Sequence, residues 1–174
     1  CVTGINYTKV DTQAADRSTP WLLSGGRPAY ASSTNGGNLP TYATDEIIGT
    51  QWEAVANKAD QWLDIDLGGK ADVSRVVINW QNSASYGGAY QILVSDDEIN
   101  WTKIYQTTKG NGGSEKQVLR DDGTVDYTYY QDTISSDSTD DYKLTQKNGR
   151  YVRVLINYSK SQSESADKKS GWGA

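Results

Sequence analysis

Gln61-Trp-Leu-Asp-Ile-Asp-Leu-Gly-Gly69 is the stretch whose reading decides the fold class. Leu63, Ile65 and Leu67 alternate with Asp64 and Asp66. Successive side chains of a β-strand point to opposite faces, so the apolar residues share one face and the two carboxylates share the other. The carboxylate face is expected to meet solvent. Gly68-Gly69 predicts the end of the strand and a turn. A second alternating run follows from Val73 to Trp80, with Val76, Ile78 and Trp80 on one face, and Thr50-Gln51-Trp52 lies just upstream. A buried strand set between Trp-bearing loops points to a sandwich.

Working outward, the same period of two returns at Tyr90, Ile92 and Val94, and again at Val152, Val154, Ile156 and Tyr158. Asp96-Asp97 begins a turn, after which Trp101 to Tyr105 reads as a hairpin partner. Residues 34–38 and 107–115 are Gly/Asn-rich loops, where those residues supply positive φ. Residues 27–33 read as an early strand, and 2–10 admit another. Residues 120–148 are acidic and rich in Ser, Thr and Tyr. Within them 137–141 have the most loop-like composition, and 127–134 are compatible with strand. No heptad or helical period is present. Short strands with turns every ~8–12 residues predict an all-β, antiparallel sandwich.

Composition narrows the chemistry. A chain of 174 residues is long enough to bury a core as one domain. Its net charge of −5 argues against a nucleic-acid partner, since phosphate binding needs a cationic face. The absence of His removes the imidazole base and the commonest transition-metal ligand. Aromatic character rests on six Trp and twelve Tyr, residues with an apolar body and a polar handle. The carboxylate pairs Asp64/Asp66 and Asp96/Asp97 fall on a strand face and in a turn, so neither predicts the cleft a glycosidase needs. The expectation is a protein that is not an enzyme. Cys1, the single cysteine, has three readings: a fragment boundary, a lipid-modified first residue of a surface protein, or a bridge to another chain. With no signal peptide, no apolar run of ~20 residues and no initiator Met, the chain reads as processed or excised from something longer.

Several pieces in order carry a family likeness: Arg27-Pro-Ala-Tyr-Ala-Ser-Ser33, Ala43-Thr-Asp45, Thr50-Gln-Trp52, Gln61 to Gly68, Val73-Ser-Arg-Val-Val-Ile78, Tyr90-Gln-Ile-Leu-Val-Ser95, Asn100-Trp101 and Arg150-Tyr-Val-Arg153. Together they resemble a discoidin domain, the coagulation-factor type C fold shared by family 32 carbohydrate-binding modules. The likeness places the sandwich at 27–174 and leaves 1–26 as an N-terminal extension or connector. It implies an eight-stranded jelly-roll-like sandwich, extracellular and secreted or attached to the cell surface, binding a glycan through loops at one end. It also implies a calcium ion in the loop from Asp45 to Thr50, held by the Asp45 carboxylate, the Thr50 hydroxyl and backbone carbonyls including that of Ile48. Three departures stand out. Glu46-Ile47 replaces the usual Gly-Asn of that loop. Residues 119–148 are longer than the family pattern and suggest an insertion. The final strand with its acidic residue is missing after Trp172-Gly-Ala174, which would leave a sheet edge open.

Candidate sugar contacts are loop aromatics and amides: Trp80, Gln81, Asn82, Tyr86 and Trp172. Aromatic rings stack on sugar C–H faces, while amides take the hydroxyls. Trp80 has a competing reading as core, because it continues the face of Val76 and Ile78. Tyr86 and Trp172 are expected to be exposed, and Trp52, Trp62 and Trp101 to pack in the core or on strands. The His-based galactose arrangement of some relatives cannot be carried over. The Trp80-Gln81 pair and the Gly110-Asn-Gly-Gly113 loop look more like modules attached to β-glucan-degrading enzymes. The expected partner is a polysaccharide or cell-surface glycan. The alternative is a structural or adhesive protein whose missing strand is supplied by another chain.

Overall fold

The computed structural model describes residues 2–10, 22–55, 58–81 and 86–159, the first of these segments by its backbone alone. Among the described residues eight strands carry the fold: β1 (Val2–Val10), β2 (Ala29–Ala31), β3 (Gln61–Trp80), β4 (Gly87–Ser95), β5 (Thr102–Thr107), β6 (Ser114–Leu119), β7 (Val125–Ser135) and β8 (Lys147–Ser159). One short 3-10 turn spans Pro40–Ala43. Among the described residues no helix is long and apolar enough to cross a membrane. Every strand pairing is antiparallel, and the sheet runs β5-β4-β8-β3-β7-β6, with β1 and β2 also on β3. The expected all-β antiparallel architecture is present.

The hub is β3, and here the structure corrects the expected turn at Gly68-Gly69. The strand does not stop there. Its register against β8 slips, with Asp66 opposite Tyr151 and Ala71 opposite Gly149. Gly68 takes φ +81°, and its N–H donates to Asp66 Oδ1 at 2.8 Å. Extra residues on one strand make a bulge, which bends that strand and increases its twist without ending it. The first half of β3 therefore lies between β2 and β8, and the second half between β1 and β7. One continuous strand curls the sheet on itself.

The curl encloses Leu63, Ile65, Val76, Ile78, Ile92, Ile134, Val154 and Ile156, all essentially inaccessible, together with Trp52. The alternation read from the sequence fixes these inward positions. Its complement was misassigned. Asp64 is only 2% exposed, where a solvent-facing carboxylate was expected. Arg153 of β8, directly opposite in register, donates two hydrogen bonds to it at 2.6 and 2.7 Å. The same guanidinium lies 4.3 Å from the Trp62 ring centroid and 4.2 Å from that of Trp101. Arg150 covers Asp66 in the same bidentate way at 2.9 and 3.0 Å. The arginines of Arg150-Tyr-Val-Arg153 thus neutralise the acidic face of β3.

Residues 119–148 also prove to be framework. β6 and β7 form a hairpin, and β7 pairs with β3 from Arg75↔Ser135 to Trp80↔Tyr130. Inward from β7 point Asp132 and Ile134, and the following turn returns the chain to the buried Leu144. The strand compatible with 127–134 is present as part of β7, with Asp132 and Ile134 as its buried residues.

Candidate functional site

The sequence-predicted residues divide sharply. Trp80 has no accessible surface; its indole N–H donates to Asp132 Oδ2 at 2.8 Å and its ring meets Tyr90 edge-on at 5.5 Å. That corrects its candidacy as a sugar-stacking ring, because the inward parity of Val76 and Ile78 carries through the end of the strand. Tyr86 is 8% exposed, against the expected exposure. Gly112 lies so close to the Tyr86 ring that a Cβ at position 112 would come within 2.9 Å of it. Asn82 and Trp172 lie outside the described residues, as does Cys1.

Gln81 is placed differently. It is half-buried and borders a pocket of about 350 Å³ with Ile48, Gln51, Tyr127, Thr128 and Tyr129. Two residues nominated from sequence for separate reasons, Gln81 for sugar and Ile48 for calcium, thus share one concavity. Tyr127 and Tyr129 were missed. Their signal was the alternation along β7, which sends Tyr127, Tyr129 and Gln131 to one face and Tyr130, Asp132 and Ile134 to the other. Both tyrosines are half-buried, and the Tyr127 hydroxyl approaches Gly49 of the neighbouring loop. Two phenol rings beside two side-chain amides offer the combination that a sugar needs, apolar faces flanked by hydrogen-bond donors and acceptors.

The Asp45 loop borders this pocket and is closed by its own bonds. Asp45 Oδ1 accepts the Ile47 N–H at 2.9 Å, and Asp45 Oδ2 faces the Thr50 hydroxyl at 2.5 Å. Thr50 Oγ1 also lies 3.0 Å from the Ile47 carbonyl oxygen, an alternative acceptor for its one proton. Glu46 adopts φ +61°, the left-handed conformation that glycine tolerates best, at the place where the resembled family has its Gly. Ca²⁺ takes six to eight oxygens. The described loop offers one carboxylate, one hydroxyl and carbonyls, and no group of three or more Asp, Glu, Cys or His among the described residues is placed to hold a metal. The donors are of the right oxygen type, but they carry little charge.

A second pocket, of about 370 Å³, shares no lining residue with the first. Among its walls are Tyr90, Tyr105, Lys109, Asn111, Asp132 and Tyr142. At its base Asp132, 2% exposed, accepts at Oδ2 from Trp80 and from the Tyr90 hydroxyl at 2.9 Å. Oδ1 has no hydrogen-bond partner. Burial pushes the Asp132 carboxyl up, and the bonds from Trp80 and Tyr90 offset that only in part. Burial likewise raises the phenols, Tyr90 well above its ordinary value and Tyr105 to about 12. The loop carrying Lys109 and Asn111 is seated on the Gly87–Gly88 backbone: Gly110 N–H donates to the Gly88 carbonyl at 2.9 Å.

With this geometry in view, the family assignment follows from the sequence as a whole. The model of the F5/8 type C domain matches residues 28–167. The chain belongs to the F5/8 type C domain family. It is 29% identical over 121 residues to lactadherin of Bos taurus, an alignment covering 67% of this chain. This F5/8 type C chain spans about a quarter of that relative's length, 25%. Among solved structures it is similar to chitosan-binding module 2, in complex with chitotriose, from a chitosanase/glucanase of Paenibacillus sp. IK-5. The TM-score is 0.60 and the identity 28%, with 78% of this chain and 86% of the module covered. It shares its fold with the CBM32 of AlyQ, solved in complex with 4,5-unsaturated mannuronic acid, at a TM-score of 0.52 and 22% identity, covering 77% and 84% of the two chains. The first of these two structures is named a chitosan-binding module; the second supports the fold.

Proposed function

We propose that this F5/8 type C domain is a non-catalytic, extracellular carbohydrate-binding module that takes a polysaccharide or cell-surface glycan in the pocket of Tyr127, Tyr129, Gln81 and Gln51. The observation carrying the reading is the meeting of two half-buried tyrosines of β7 with two amides in one concavity. The likeness to a module solved with chitotriose supports it. In this reading a pyranose ring lies against the tyrosine faces, and Gln81 and Gln51 bond its hydroxyls. No bond is made or broken.

The test is affinity electrophoresis through a panel of soluble polysaccharides, including chitosan, alginate and β-glucan. Tyr127→Ala and Tyr129→Ala should each weaken retention by roughly tenfold, the size of a lost aromatic stacking contact, without shifting the thermal transition greatly. Retention unchanged in both variants would place the sugar elsewhere. Retention by no polysaccharide, with concentration-dependent self-association, would favour the assembly reading.

Calcium at the Asp45 loop belongs to the same proposal. The ion would be held by the Asp45 carboxylate, the Thr50 hydroxyl and loop carbonyls including that of Ile48, replacing the bond that now joins Asp45 to Thr50. Because a ligand that binds only the folded state raises the apparent melting temperature, millimolar calcium should raise Tm. Asp45→Ala should abolish the rise. A Tm indifferent to calcium and chelator would remove the ion from the account.

A further inference from the structure

Among the described residues there are three Asn-Gly pairs: Asn35-Gly36, Asn111-Gly112 and Asn148-Gly149. In such a pair the glycine has no side chain to shield its backbone nitrogen from the asparagine amide carbon. The fold holds the three differently. Asn35 Nδ2 donates to Glu53 Oε1 at 2.9 Å, and its N–H donates to the Glu53 carbonyl at 2.8 Å. The amide nitrogen that would have to leave is thus tied to a carboxylate. Asn148 lies in β8 opposite Asp72, where the pleated ladder turns its side chain away from the following peptide.

Asn111 is held in the opposite sense. It is exposed, and its Oδ1 accepts the Gly113 N–H at 2.9 Å and the Tyr142 hydroxyl at 3.1 Å. An N–H needs an acceptor, so the atom facing Gly113 is the amide oxygen and not Nδ2. The bond to Gly113 closes a ring that contains both the Asn111 Cγ and the Gly112 nitrogen. Electrophile and nucleophile are therefore held in one short loop. Gly112 is seated against the Tyr86 ring, which fixes the peptide that supplies the nitrogen. Two donors on Oδ1 polarise the Cγ carbonyl, and they are aimed where negative charge builds when a nitrogen attacks. Nδ2, the group that leaves, has no bond of its own to a described residue.

We propose that Asn111 is a self-modification site, converting to a mixture of isoaspartate and aspartate and thereby releasing the loop of residues 108–113 from the Gly87–Gly88 backbone. The Gly112 nitrogen bonds to Cγ, the Cγ–Nδ2 bond breaks, and the Gly112 proton departs on ammonia. Water then opens the cyclic imide. Cleavage of the new N–Cγ bond gives aspartate, and cleavage on the main-chain carbonyl side gives isoaspartate. Nothing is oxidised or reduced.

The release follows from what isoaspartate does to the chain. It routes the backbone through Cβ and so adds one methylene between Gly110 and Gly112. Neither neighbour has room for the change. A Cβ at Gly110 would meet the Gly87 carbonyl oxygen at 1.9 Å, and one at Gly112 would meet Tyr86 at 2.9 Å. The Gly110 N–H bond to the Gly88 carbonyl is what the longer backbone breaks.

The full chain is aged in mildly alkaline buffer and mapped by mass spectrometry that separates aspartate from isoaspartate. Folded, Asn111 should convert at least roughly fivefold faster than Asn35 or Asn148, the rate equivalent of one net hydrogen bond. In denaturant the three should converge, because the fold makes the ranking. Tyr142→Phe removes one donor and keeps the ring, and should slow Asn111 roughly fivefold. The comparison of folded and denatured parent needs no variant and decides the matter even where Tyr142→Phe folds poorly. Hydrogen exchange on the charge-separated products reads the release. The Gly110 amide should lose protection in the isoaspartate form and keep it in Asn111→Asp, which adds the charge without the methylene. Asn111 converting no faster than the other two, a ranking that persists in denaturant, folded Tyr142→Phe converting at the parent's rate, or Gly110 still protected in the isoaspartate form would each overturn the proposal.

Discussion

At Arg153 three interactions meet: a bidentate bond to the buried Asp64 and contacts with the faces of Trp62 and Trp101. The planar guanidinium is what permits all three at once, since it can stack and fork together. Removing the arginine leaves the Asp64 carboxyl without its counterion in a nearly inaccessible place, where burial already pushes it up. Arg153→Leu is expected to cost about 3–5 kcal/mol, the size seen when one partner of a buried pair is lost, measured as a lowered urea midpoint with m unchanged. Asp64→Asn in the same background should recover part of that loss. If Arg153→Leu unfolds like the parent, the pair is a surface ornament. Nothing in the alternation of 61–67 marked Asp64 as buried. The needed information lay 89 positions away, in the spacing of Arg150 and Arg153.

Among the elements, the loop of residues 108–113 decides the shape of the second pocket through its contact with the Gly87–Gly88 backbone. A Cβ at Gly110 would come to 1.9 Å from the Gly87 carbonyl oxygen. Backbone faces backbone there, so no side chain can swing aside. Gly110→Ala should therefore push the loop away and cost roughly 1–3 kcal/mol, the usual penalty of overpacking. A lowered thermal midpoint, together with loss of protection at the Gly110 amide in hydrogen exchange, would record it; an unchanged midpoint would contradict the contact. The sequence marked this loop as glycine-rich turn chemistry but not what it docks on. Strands with apolar inward positions, β3, β4, β5 and β8, were legible because their pattern is the core itself. β7 was partly legible: 127–134 read as compatible with strand, but an inward aspartate and the acidic stretch around it left no apolar alternation to mark which face met the core. The bulge at Gly68 was read as a stop because a glycine pair signals a break in direction, and only a neighbouring strand that continues past it distinguishes a bulge from a turn.

For the molecule as a whole, the curled sheet concentrates buried phenols around Asp132, and this sets its behaviour in alkali. Tyr105 is pushed up to about 12, and Tyr90 is also well above its ordinary value of 10. Groups that hold their protons more tightly folded than unfolded contribute stability fully below the unfolded pKa and lose it as pH rises through the folded one. Stability should therefore fall between about pH 10 and pH 12, and the share of phenolate absorbance that is missing in Tyr105→Phe should appear together with unfolding. Tyr105→Phe should flatten that fall; an alkaline stability profile identical to the parent's in that variant would refute it. The same topology has a kinetic side. β3 must find β8 and β7, strands that follow it by tens of residues, before either half of the sheet is complete. Loop-closure entropy is lost before such pairings stabilise the chain, so folding should be slow for a chain of this size, in the milliseconds-to-seconds regime of all-β sandwiches. During synthesis β3 leaves the ribosome with β1 and β2 already made but long before β7 and β8 exist, and until they follow, its open edges are left to chaperones or other chains.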